Sequence, residues 1–392
     1  ATSGQDHPFL DRLRGDTHPG SETNAAPPRQ PAAGPGGKSY PYDKVRESVF
    51  GEGAGQFRVF EPAAAVPVSA SSGSPSETAA SDSAKTAAAL PVIVFAHGWG
   101  AMEPGGYDAW IAHLVKRGNI VIYPRYQESL RTRMEDFTPN AVAEVKAALK
   151  ELAAGGHARA DLGRVAVVGH SMGGAIAPNL AAMAAKEGLP RFSAVMCVEP
   201  GNRMMNNPKI HMPMADLSLI PANTLLIMLV GSDDKVVRDE TAKEIYSGAS
   251  NVASANKNYV TMMSDHHGTP PLVANHFAPA APGGTFESGG GDGGSKGPLR
   301  DRIGEWMREK KGGTQPMVDA LDFYGTWKLF DGLTDAAFFG KNREYALGDT
   351  PQQRFMGVWS DGVAAKELKV EMTAEALSRS RGIHGATGTK SE

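Results

Sequence analysis

A single cysteine, Cys197, among 392 residues rules out an internal disulfide, and its place inside the apolar stretch from Ser193 to Val198 marks it as a buried, inert thiol. Long hydrophobic runs are missing too. The longest, Val92 to Ala96 and Leu225 to Val230, fall far short of the roughly 18 residues a membrane-spanning helix needs. Charge of one sign is scarce: 40 Lys and Arg face 43 Asp and Glu, a formal net charge of -3. Nucleic acid and anionic membranes are therefore poor partners. An initiator methionine is also lacking, since the chain starts at Ala1; this reads as processing and gives the expectation of a secreted or periplasmic protein.

Residues 1–41 are rich in Pro and Gly and have almost no apolar periodicity, so a disordered leader is expected there. The remainder, 42–392, is expected to be one domain carrying low-complexity insertions. The first, 62–91, holds ten Ala and seven Ser, and the second, 281–297, eight Gly in seventeen residues. Between these soft regions strands and helices alternate. Gln56 to Glu61 alternates like a half-buried strand, and short apolar runs follow at Val92–Ala96, Ile120–Tyr123, Val165–Val168, Ser193–Val198 and Leu225–Val230. Helices are expected over Tyr107–Lys116, Ala141–Leu152, Gly174–Lys186, Arg238–Tyr246, Leu299–Glu309 and Met317–Phe339. This rhythm predicts an α/β fold, a mostly parallel central sheet with helices on both faces.

The strongest local signal is Gly169-His170-Ser171-Met172-Gly173, between the strand Arg164–Val168 and the small-residue helix from Gly174. A serine at the tip of a strained strand-to-helix turn needs small neighbours, and the following helix N-terminus aims free N–H groups at the same point. This pattern is similar to the nucleophile elbow of the α/β-hydrolase fold. Upstream, His97-Gly98-Trp99-Gly100 follows a strand where that fold places the other half of an oxyanion hole, so the N–H groups of Trp99 and Met172 are the expected donors.

A hydroxyl needs a base within hydrogen-bond reach and a third group to orient the base. The resemblance implies the chain order serine, acid, histidine. Downstream of Ser171, the strand ending in Gly231-Ser232-Asp233-Asp234 offers two acids. Loops of this kind in the resembled families carry the acid three residues after the Gly, which favours Asp234 and leaves Asp233 to cap the next helix or to face water. After the strand Asn258–Ser264 come His266 and His267, with His267 preferred because Gly268 frees the loop beside it and His276 a third choice. No His-x-x-x-His spacing or cysteine ligand supports a metal, and no cofactor is required. Met204, Met205, Met212 and Met214 around His211 read as apolar packing, and Arg125 as a loop brace or a contact to a polar substrate group.

Together these motifs resemble an α/β-hydrolase-fold serine esterase of the branch containing cutinase-like polyester hydrolases, dienelactone hydrolases and platelet-activating-factor acetylhydrolases, over roughly Ser48 to Phe339. The resemblance implies an acyl-enzyme mechanism on short-chain or aromatic esters and on polyesters, by a monomer. It also implies that Trp99 and Met172 flank the substrate. Polyester hydrolases of that kind carry disulfides and lack the insertions, a departure that touches the polymer substrate and not the ester chemistry.

Overall fold

The computed structural model describes residues 22–66, 88–203, 210–283, 287–288 and 316–371. Ten described strands form one sheet: β1 (Val45–Phe50), β2 (Phe57–Pro62), β3 (Leu90–Ala96), β4 (Ile120–Pro124), β5 (Ala160–His170), β6 (Phe192–Val198), β7 (Leu225–Gly231), β8 (Lys257–Met262), β9 (Glu287–Ser288) and β10 (Lys369–Glu371). Their order across the sheet is β10-β8-β7-β6-β5-β3-β4-β2-β1-β9. The run from β4 through β3, β5, β6 and β7 to β8 is parallel throughout, and β2 and β10 join its two sides antiparallel.

Alternation along the strands fills both faces. On β3, Val92, Val94 and Ala96 point into one core, shared with Phe137 and Val145 of α2 (Phe137–Ala154), Leu180 of α3 (Met172–Glu187) and Ile245 of α4 (Glu240–Gly248). Ile93 and Phe95 point the other way. They meet Trp110 and Leu114 of α1 (Asp108–Lys116) and Phe330 and Leu333 of α5 (Trp327–Phe339). Each such side chain, fully buried, contributes roughly 1.5–3 kcal/mol. Cys197 lies in the first core with its thiol pushed far up by burial. Among the described residues no helix is long and apolar enough to cross a membrane.

Two expectations change and one strand is new. The leader does not stay loose as far as residue 41: residues 22–41 run as a strap held by tertiary contacts. Thr23 N and Glu22 N donate to the carbonyls of His267 and His266, Gly36 N donates to Asp331, and the Tyr40 hydroxyl meets His113 Nδ1 at 2.9 Å. A Pro-rich segment without periodicity cannot order itself, but it can be ordered by partners elsewhere. The helix expected over Met317–Phe339 begins only near Ala320 and opens with a π turn, Leu321–Thr326, where the half-buried Asp319 and the buried Asp322 bond the first backbone N–H groups. Strand β1 has no clear apolar alternation and is set by full pairing with β2. Residues 1–21, most of the two insertions and the helix expected over 299–309 lie outside the described residues.

One polar residue under the sheet gives a test of the packing. Glu144 of α2 is buried, and both its oxygens accept from Tyr126 N at 3.0 Å. Burial pushes this carboxyl up to about 8, against the Tyr126 and Arg125 N–H groups and the Arg125 charge. Between the ordinary carboxyl range and pH 8 the folded state therefore holds a proton that the unfolded chain has lost, so this residue makes stability fall as pH rises through that window. Glu144→Gln keeps the shape without the ionisation. Its melting temperature is expected to exceed the parent's at pH 8 and to approach it near pH 4.5; a difference independent of pH would refute the account.

Candidate active site

The parallel strands end together at their carboxyl edge, where an α/β sheet places its ligands. Ser171 follows β5 with φ 56° and ψ -121°, a backbone that a non-glycine residue adopts only under constraint. The constraint is close packing. A Cβ on Gly169 would lie 2.0 Å from the Gly173 carbonyl oxygen, and one on Gly173 would lie 2.0 Å from that of Ala96, so only glycine lets helix α3 start this near to β3 and β5. The result is a serine lifted above the sheet at the first turn of α3.

Three side chains from three loops form a continuous hydrogen-bonded chain. His276 Nε2 lies 3.0 Å from Ser171 Oγ, and His276 Nδ1 lies 2.8 Å from Asp234 Oδ2. The other oxygen of Asp234 accepts from Val236 N and Val237 N. Burial alone would raise the Asp234 carboxyl, but His276 and those two N–H groups hold it below the usual carboxylate range. It is therefore an anion at neutral pH, fixed to orient one imidazole.

The preferred base, His267, is elsewhere. Its Nε2 pairs with Asp361 at 2.7 Å, and its ring stands edge-on to Trp359. His266 points to neither Ser171 nor Asp234 and serves through its backbone carbonyl, which accepts from Glu22 N. The physical reason is the shape of the loop after β8. Asp265 and Leu272 exchange both backbone hydrogen bonds at 2.8 Å, so the chain turns outward through His266 and His267 and comes back, delivering His276 to the sheet edge. Asn275 fixes the return by accepting from Phe277 N. The Thr269-Pro270-Pro271 turn was the signal for such an excursion, and it implies that the first histidines after the strand lie on its outward limb. Asp233 is likewise a latch, bonded to Ser264 Oγ and through its N–H to the Ala274 carbonyl.

The loop after β3 carries the second half of the site. His97 is buried with its ring nitrogens against the Gly98 and Arg125 carbonyls, and stacks on Tyr126 at 4.1 Å. Burial lowers it to about 4, so it is neutral and structural. Gly98 N donates to the Tyr107 hydroxyl and Gly100 N to Gln127 Oε1. Between them, the N–H of Trp99 has no acceptor among the described residues, nor does that of Met172 at the start of α3. Arg125 braces this loop through its carbonyl and its bond to Gln56. Met212 is buried in the core, as apolar packing requires, whereas Met204 and Met205 lie outside the described residues.

Tyr107, His170 and Glu199 escaped the sequence reading. The Tyr107 hydroxyl accepts from Gly98 N and lies 2.7 Å from His170 Nδ1, while His170 Nε2 lies 2.9 Å from the His276 carbonyl oxygen. One relay thus ties the loop after β3 to the histidine loop behind the elbow. Burial, with His276 nearby, lowers His170 to about 3, so it stays neutral and donates from Nε2. Glu199, at the end of β6, is fully buried. His170, Glu199 and His276 put one ligand atom each within 4.8 Å of one another, but every imidazole nitrogen in the group already has a hydrogen-bond partner, so the arrangement reads as part of the serine site rather than a metal centre.

The sheet order, the strained serine elbow and the hydrogen-bonded chain behind it define an α/β-hydrolase fold with a serine-hydrolase site. Residues 45–227 match the model of the chlorophyllase family, a stretch that includes the loop after β3, the elbow and β6. No curated protein matches the chain. At the coarse level, the match and the fold support a serine ester hydrolase.

Proposed function

We propose that the protein hydrolyses carboxylic esters through an acyl-enzyme formed on Ser171. The carrying observation is the unbroken chain Asp234–His276–Ser171 at a strained elbow. His276 takes the Ser171 proton as the hydroxyl attacks the ester carbonyl, and Asp234 holds the Nδ1–H tautomer and stabilises the imidazolium. The N–H groups of Trp99 and Met172 receive the oxyanion, a role favoured by their having no other acceptor among the described residues while the flanking Gly98 and Gly100 N–H groups are tied. His276 then returns the proton to the leaving alcohol, and water releases the acyl group by the same steps.

Short-chain or aromatic esters fit this reading best, with polyesters as its extension. Leu130, 39% exposed, packs beside Gly100 and supplies an apolar wall next to the loop after β3. The test is labelling with a fluorophosphonate followed by peptide mapping, together with a p-nitrophenyl ester series of increasing acyl length and a polyester film. Label confined to Ser171 and fastest turnover on short acyl chains are expected. Absence of label at Ser171 would sink the proposal, and faster acyl transfer to an added alcohol or amine than to water would redirect it to a transferase.

A further inference from the structure

Behind His276 stands a carboxyl group that the steps above do not use. Glu199 is 0% exposed, and among the described residues neither of its oxygens has a hydrogen-bond partner. Its backbone is held at φ 43°, unusual for a side chain of this size. Its Oε2 lies 3.6 Å from His276 Nδ1 and 3.5 Å from His170 Nε2, just outside hydrogen-bond reach of both. Gly231 leaves the room it occupies: a Cβ there would meet Glu199 Oε1 at 2.7 Å. A buried carboxyl without partners in a strained backbone stabilises nothing, and an apolar side chain would pack there at lower cost. Its position is what distinguishes it, because it faces the same imidazole nitrogen that Asp234 holds.

We propose that Glu199 is the second acid of this site, a positioning residue that backs the Asp234–His276 hydrogen bond and carries the His276 Nδ1–H alone when the Asp234 carboxylate is removed. The inference rests on the reading of Ser171, His276 and Asp234 given above. The groups that face Glu199 are His170 at the end of β5, Asp234 after β7, His276 after β8, and Tyr107, whose hydroxyl is electrostatically coupled to it. Burial first, and then the Asp234 charge, raise the Glu199 carboxyl well above its usual range, so in the intact site it is neutral and Asp234 carries the charge. Removing Asp234 removes that repulsion. A movement of about half an ångström then brings Oε2 within hydrogen-bond distance of Nδ1.

The experiment is a double-mutant cycle on kcat/KM for a p-nitrophenyl ester, with Asp234→Ala, Glu199→Gln and the pair, against Ser171→Ala as the floor. Glu199→Gln alone is expected to lose less than about tenfold, Asp234→Ala to stay at least about tenfold above the floor, and the pair to fall to the floor. Activity surviving in Asp234→Ala should rise with pH as Glu199 ionises, over a higher range than in the parent. That rise should vanish in the pair, which a packing role for Glu199 would not produce. Equal fractional loss from Glu199→Gln in both backgrounds, or an unchanged pH profile, overturns the inference. Should Glu199→Gln fail to fold, Glu199→Met replaces it in the same cycle. Full activity of Ser171→Ala would instead overturn the proposed function itself, so the two failures are distinguishable.

Discussion

His276→Ala is expected to lower kcat for a p-nitrophenyl ester by about four to six orders of magnitude, whereas His267→Ala should cost less than about tenfold. The two histidines are nine positions apart on one loop, so the pair is a controlled comparison of the same substitution. His276 touches both Ser171 Oγ and Asp234 Oδ2; removing its imidazole leaves the hydroxyl without a base and the buried Asp234 carboxylate with only the two N–H groups of Val236 and Val237. His267 offers its ring to Asp361 at the surface, where solvent screens the contact, and its structural contacts to Thr23 run through a backbone that alanine retains. Circular dichroism should be unchanged in both variants. Inactivity of His267→Ala with activity retained in His276→Ala would mean that the loop turns the other way in the working enzyme.

That comparison also shows where the sequence stopped being informative. The apolar runs behind β3 to β7 are continuous because both faces of a parallel sheet are buried, so these strands were legible to within a few residues. The elbow was legible because two backbones approach too closely for anything but Gly169 and Gly173. Asp234 could be chosen by its distance from Gly231. The histidine could not be chosen by distance, because the path from β8 is folded back by the Asp265–Leu272 exchange, and the Thr269-Pro270-Pro271 turn signals an excursion without fixing which residues close it. Glu199 and His170 were missed for a related reason. Each looks like the end of an apolar strand with one polar residue attached, and only the juxtaposition of the ends of β5, β6 and β7 makes them neighbours of the site.

The ordering of the strap gives the largest expected effect on stability. Asp331 of α5 is 1% exposed and gathers three partners from distant parts of the chain: Gly36 N at 2.7 Å, His113 Nε2 at 2.8 Å and Arg117 Nε at 3.2 Å. Burial by itself would raise this carboxyl, but Arg117, His113 and the Gly36 N–H outweigh it and hold the group below its usual range. Asp331→Ala leaves the His113 ring and the Gly36 N–H without their acceptor, while Arg117 keeps Asp335 at 3.1 Å. Breaking a buried pair from one side costs about 3–5 kcal/mol, so the melting temperature at pH 7 should fall by several degrees. The sign with pH follows from the lowered folded-state value. Stability from Asp331 is present above the ordinary carboxyl range and is lost as pH falls through the folded value, so parent and variant should converge in acid. Because Gly36 and Tyr40 lie on the strap, residues 22–41 should also become cleavable by protease at pH 7 in the variant. Equal melting temperatures at pH 7 would show that the strap is held by its contacts to the histidine loop alone, where Thr23 and Ala25 meet His267 and Thr269.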